Sequence, residues 1–104
     1  MKNVLGTDLQ ICGTNPMTGF FRDGYCRTDE NDQGTHVVAS VVDEDFLTYT
    51  RQMGNDLSTP NPRYGFSGLK PGDRWCLCVL RWRQALKAGH APKVILESTQ
   101  DKAL

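Results

Sequence analysis

The chain has no excess of charge of either sign, no long apolar run and no repeat. Lys and Arg total 12 against 12 Asp and Glu, giving a formal net charge of zero. Without a basic excess there is little counterion release to drive nucleic-acid binding, so nucleic acid is not an expected partner. Nothing approaches the ~20 apolar residues that cross a bilayer, and Met1–Gly6 lacks the apolar stretch of an export signal. A membrane is therefore not an expected partner, and the expected location is cytoplasmic, with the cysteines reduced. Also missing are the Cys-x-x-Cys knuckle, a Walker-type phosphate loop, a dinucleotide glycine fingerprint and a serine elbow. No metal and no cofactor is expected.

The residues that are present suit one folded domain over 1–104. Hydrophobic residues make up 38% and charged residues 23% of 104 positions, an ordinary globular balance at a length that buries a single core. Asn3 to Asp32 is dense in Gly, Asn, Asp, Thr and Pro and reads as an irregular N-terminal arm of turns. His36–Val42 (His-Val-Val-Ala-Ser-Val-Val) is a β-branched run suited to a buried strand. Asp43 stands where a helix N-cap is wanted, Phe46, Leu47, Thr50 and Met53 share one helical face, and Gly54 is a natural stop.

Residues 55–72 contain Pro60, Pro62 and Pro71 with Gly65, Gly68 and Gly72, a loop longer than compact domains commonly carry without a purpose. Arg74–Leu80 reads as a second buried strand, Trp82, Ala85 and Leu86 fall at helical spacing before Gly89, and Lys93–Glu97 reads as a third strand. The expected architecture is α+β: a small mixed β-sheet with two short helices and the irregular arm covering an edge or a face. An antiparallel β-barrel-like core with inserted helices is the alternative.

Three motifs carry a resemblance. Pro16-Met17-Thr18-Gly19-Phe20-Phe21-Arg22-Asp23-Gly24, Gly54-Asn55-Asp56-Leu57-Ser58-Thr59-Pro60, and Pro71-Gly72-Asp73-Arg74-Trp75-Cys76-Leu77-Cys78 with Arg81-Trp82 together resemble an uncharacterised bacterial family, domain of unknown function 2237. The likeness runs over essentially the whole chain and implies no activity. Two departures go with it: the family pattern commonly has a cysteine where this chain has Ala39, and Thr-His where it has Thr99-Gln100. Relatives also tend to continue beyond Leu104, so a shortened C-terminus is expected.

Candidate chemistry lies in the same motifs. Arg22-Asp23 and Asp73-Arg74 each flank a glycine turn, and two guanidiniums held by aspartates suit a carboxylate or phosphate; the bland reading is two internal Asp–Arg staples. Asn55, Asp56, Ser58 and Thr59 either converge on a ligand or cap their own turn, with Pro60 holding Thr59 extended. Trp75 supplies an aromatic wall.

The leading expectation is a binding module for an anionic or polar small ligand, or for an acidic group of a protein partner, formed by Arg22, Asp23, Asn55, Asp56, Ser58, Thr59, Asp73, Arg74 and Trp75. The alternative is a thiol- or metal-dependent enzyme using Cys26, Cys76 and Cys78 with His36 as base, Cys12 being available to complete a ligand set. Cys76 and Cys78 share one strand face, and buried cysteines more often pack as small hydrophobes. A third reading, a docking adaptor, requires an exposed apolar patch.

Overall fold

The computed structural model describes residues Met1–Leu104. Its elements are β1 (His36–Val41), α1 (Glu44–Gln52), β2 (Arg74–Cys78), α2 (Val79–Ala88) and β3 (Lys93–Val94), with 3-10 turns at Pro62–Tyr64, Leu96–Ser98 and Asp101–Ala103. The three strands form one sheet in the order β2-β1-β3, so the fold is α+β. Both pairings are antiparallel where a mixed sheet was expected, and a parallel pairing appears only as an isolated bridge between Cys26 and Thr99. β2 and β3 thus run the same way on either side of β1, and α2 connects them as the crossover of a split β-α-β unit.

The first strand and helix form for local reasons. Asp43 is extended and its carboxylate accepts from the Phe46 amide at 2.7 Å, satisfying a donor that the first helical turn leaves free. Glu44 and Asp45 add negative charge at the positive end of the helix dipole. Phe46 and Leu47 then pack into an aliphatic core with Val37, Val38, Val42, Leu69, Trp75, Leu77 and Ala85.

Two strands are shorter than the sequence implies. β2 stops at Cys78, opposite His36 where β1 begins; beyond it no partner strand remains, the Val79 amide bonds the Thr35 carbonyl, and the chain turns into α2. β3 stops at Val94 because Thr99 takes over the next ladder position. Its hydroxyl accepts from the Ala39 amide at 3.1 Å and donates to the Ile95 carbonyl at 2.9 Å.

On the other sheet face the irregular arm closes over a small cluster of Cys12, Cys26, Ala39 and Cys76. Polar side chains hold this arm in place of regular structure. Buried Asn3 donates to Thr7 Oγ1 and to the Asp8 and Glu97 carbonyls, and accepts from the Leu5 and Thr7 amides. Fully buried Thr18 accepts the Cys76 amide at 2.9 Å, which fixes the Pro16–Gly24 motif against β2.

The expectation of four free thiols is corrected: Cys26 and Cys76 are disulfide-bonded, and Cys12 and Cys78 are free. The arm brings the Cys26 Cα to 5.2 Å from that of Cys76, within the range a disulfide spans. No helix is long and apolar enough to cross a membrane.

Candidate functional site

A hollow of about 650 Å³ opens where the arm, the long loop and the start of β2 meet. It is lined by Arg22, His36, Asp56, Phe66, Trp75 and Cys76, among others. Its size falls within the usual range for small-ligand pockets, roughly 300–1,000 Å³. Aromatic side chains make most of its apolar wall: Trp75 packs against Phe66 at 5.4 Å between ring centroids, and Phe20 stacks on His36 at 6.4 Å.

The nitrogen-bearing side chains of Arg22 and His36 also line the hollow. The Arg22 guanidinium lies 5.2 Å from the Trp75 ring centroid and donates to the Gly19 carbonyl at 2.7 Å; its other N–H donors have no protein partner. Arg22 adopts φ 54°, a left-handed conformation costly for a residue with a Cβ. Gly19, at φ +97°, sits so close to the Tyr25 carbonyl that a side chain would collide with it. Only glycine allows that turn to close.

His36 is aimed by a residue that sequence reasoning missed. Its Nδ1 is 2.6 Å from Asp32 Oδ1, and its backbone amide donates to Asp32 Oδ2 at 2.8 Å. The carboxylate fixes the proton on Nδ1 and leaves Nε2 as the ring's free nitrogen. The Asp32 side chain is only 1% exposed. Burial pushes its pKa up, but the bonds from the His36 amide, the His36 ring and Thr28 outweigh burial and hold the group below its ordinary value. The only sequence signal was the i, i+4 spacing, hidden within the polar run Asp29-Glu30-Asn31-Asp32.

The other expected site residues divide by role. Asp56 lines the hollow, but its carboxylate also caps its own loop. The Thr59 hydroxyl and the Ser58 and Thr59 amides bond it, and these bonds hold its pKa below the usual value. Ser58 and Thr59 are therefore engaged in that turn, and Asn55 donates to Thr50 Oγ1. Asp73 accepts the Lys70 amide, closing the turn before β2.

Neither Asp–Arg pair bonds internally. Asp23 instead binds Arg27 at 2.8 Å, and Arg74 reaches the Cys12 carbonyl at 3.5 Å on the arm side. Of the nine expected ligand-site residues, Arg22, Asp56 and Trp75 meet at the hollow. Tyr64 and Phe66, read from the sequence as core or pocket walls, line it too, whereas Leu57 and Asn61 were not foreseen there, because an irregular loop carries no periodicity to reveal its facing side. The loop closes on itself through the Asn61–Phe66 bridge and the Leu69 amide on the Leu57 carbonyl. Gly68 is required at this closure because a Cβ there would collide with the Ser58 carbonyl.

The thiol candidates also separate. Cys76 lines the hollow but is bonded to Cys26, which lies wholly inside. Cys78 is half-buried at the end of β2. Cys12, free and buried, completes a group of three sulfurs with Cys26 and Cys76; burial pushes its thiol pKa up to about 11, with Arg74 pulling the other way. Ala39 packs within this sulfur cluster, so the departure noted in the sequence falls beside the thiols.

Among curated proteins, none matches the chain. The sequence profile of a family described as an uncharacterized protein conserved in bacteria, DUF2237, matches residues 2–104. With the match spanning nearly every residue, the chain belongs to the DUF2237 family.

Proposed function

We propose that this protein binds a small anion that has a flat, apolar body, in the hollow between Arg22, His36, Phe66 and Trp75. The observation that carries the reading is the placement of Arg22: its guanidinium lies over the Trp75 ring, anchored at one nitrogen to Gly19, and otherwise free to donate. A guanidinium held in this way loses little freedom on meeting a carboxylate or phosphate. Phe20, Phe66 and Trp75 supply the surface for the flat part of the ligand, and His36, oriented by buried Asp32, supplies a ring nitrogen that can accept from a donor group on that part.

A thermal-shift series tests this. Benzoate, indole carboxylate and adenosine monophosphate should raise the melting temperature in a dose-dependent way by mass action, while inorganic phosphate, an anion without a ring, should not. Arg22→Ala should weaken the response at least about tenfold in concentration, as expected for losing a hydrogen bond to a charged group. Equal shifts in the parent and Arg22→Ala proteins, or none with any ringed anion, would remove this reading.

One observation favours a second reading, thiol chemistry: Cys76 and His36 line the same hollow. In that case an incoming thiol gives its proton to His36 and attacks Cys76 Sγ, and the Cys26 sulfur leaves as thiolate. A mixed disulfide at Cys76 after incubation with a small thiol, seen by mass and absent in Cys76→Ser, is its signature.

A further inference from the structure

The hollow accounts for one side of Cys76; behind it lies a centre that neither binding nor a structural disulfide uses in full. The sulfurs of Cys12, Cys26 and Cys76 lie within 4.8 Å of one another, and the three residues are 2%, 0% and 2% exposed. A disulfide needs two sulfurs. The third comes from a separate segment whose backbone is itself tied down, the Cys12 amide donating to the Gly24 carbonyl at 2.7 Å and the Arg74 guanidinium reaching the Cys12 carbonyl.

Two chemistries could use three clustered sulfurs. Exchange within the cluster requires Cys12 as thiolate, a charged form that its burial among apolar neighbours disfavours. A metal ion reverses this disadvantage, because its charge displaces thiol protons.

We propose that, once the Cys26–Cys76 bond is reduced, Cys12, Cys26 and Cys76 form a three-thiolate site for a soft monovalent cation, Cu(I). Thiolates select copper(I), zinc or iron–sulfur clusters. Structural zinc takes four ligands, and no His, Asp, Glu or further Cys joins these three. Packed against the sulfurs are the Ala39 methyl and part of Ile95. The nearby Thr99 hydroxyl is already bonded to the Ala39 amide and the Ile95 carbonyl. Three soft donors, each buried and packed against apolar side chains, suit a low-coordinate ion. Metal–sulfur bonds of about 2.3 Å, as in zinc thiolates, set the sulfurs of a trigonal group about 4 Å apart; Cys12 already lies within 4.8 Å of the other two, and the bonded Cys26 and Cys76 sulfurs must separate once reduced.

The chemistry balances. A dithiol reductant gives two electrons and two protons to the Cys26–Cys76 bond and becomes a disulfide itself. The three thiols then lose three protons as three sulfur–copper bonds form. The site carries two net negative charges, partly offset by Arg74 beside Cys12, and Cys76 at the hollow provides the way in.

The test is an anaerobic titration of full-length, dithiol-reduced protein with Cu(I) against the chelator bicinchoninate, with circular dichroism confirming that the reduced chain stays folded. One Cu(I) per chain should be retained, with thiolate-to-copper absorption in the near ultraviolet. Cys12→Ser should lose at least ~10–100-fold in affinity, the range that removing even an outer-shell partner produces, while Cys78→Ser should match the parent. Should Cys12→Ser not fold, the oxidised parent serves instead: with only one thiol left at the centre, it must fail to hold the ion. Retention by oxidised protein, equal retention by folded Cys12→Ser, no retention by the folded reduced parent, or preference for Zn(II) would each overturn the proposal.

Discussion

The two faces of the sheet are held by different means. Against the helix side lie nine buried hydrophobic residues from β1, α1, β2, α2 and the loop, centred on Phe46 and Leu77. Against the arm side lie Cys12, Cys26, Ala39 and Cys76, too little apolar area to order some thirty residues of turns unaided. A covalent bond and buried polar hubs such as Asn3 and Thr18 do that work. Burial is non-directional and tolerates repacking, whereas hydrogen bonds to Thr18 and Asn3 demand particular atoms in particular places. The hollow lies at the seam, with Trp75 and Phe66 from the helix-side core and Phe20 and Arg22 from the arm.

Four substitutions would break or sharpen this contrast. Phe46→Ala should cost the most, about 3–5 kcal/mol of global stability, and should lower hydrogen-exchange protection in β1 and β2 together. Cys26→Ser, which opens a link between residues 50 apart, should cost about 2–4 kcal/mol and act unevenly, deprotecting the Cys12 and Gly24 amides before those of β1. If both variants deprotect the two faces equally, the faces are not distinct.

Thr18→Val should cost about 1–3 kcal/mol, since it strands the buried Cys76 amide while preserving shape. The fourth concerns acid. The Asp32 carboxyl is depressed when folded, so its stabilisation is complete above the unfolded value near 3.9 and is lost as pH falls through the folded value. A urea series from pH 6 downward should show the parent losing stability below about pH 4, and Asp32→Asn should flatten that decline.

Part of this was legible in the sequence. β1 and α1 follow from one β-branched run and from Asp43, because their determinants are local. The start of β2 at Arg74 and the irregular arm were equally readable. The strand directions were not, because the nine-residue α1 leaves the long loop free to return the chain either way. Nor was the disulfide, since Cys26 and Cys76 meet only through tertiary packing. At the site, Arg22, Asp56 and Trp75 reach the hollow, but Asn55, Ser58, Thr59 and Asp73 anchor turns. Capping a turn and holding a ligand call for the same side chains, and composition does not distinguish them.

Arg22 is held at φ 54°, where glycine sits freely and a residue with a Cβ is penalised by about 1 kcal/mol or more. Arg22→Gly should thus yield a backbone more at ease but a protein without its ring-stacked cation. The positive charge over the indole is thus held at a cost in backbone conformation, which the guanidinium offsets through its bond to the Gly19 carbonyl and its contact with the Trp75 ring.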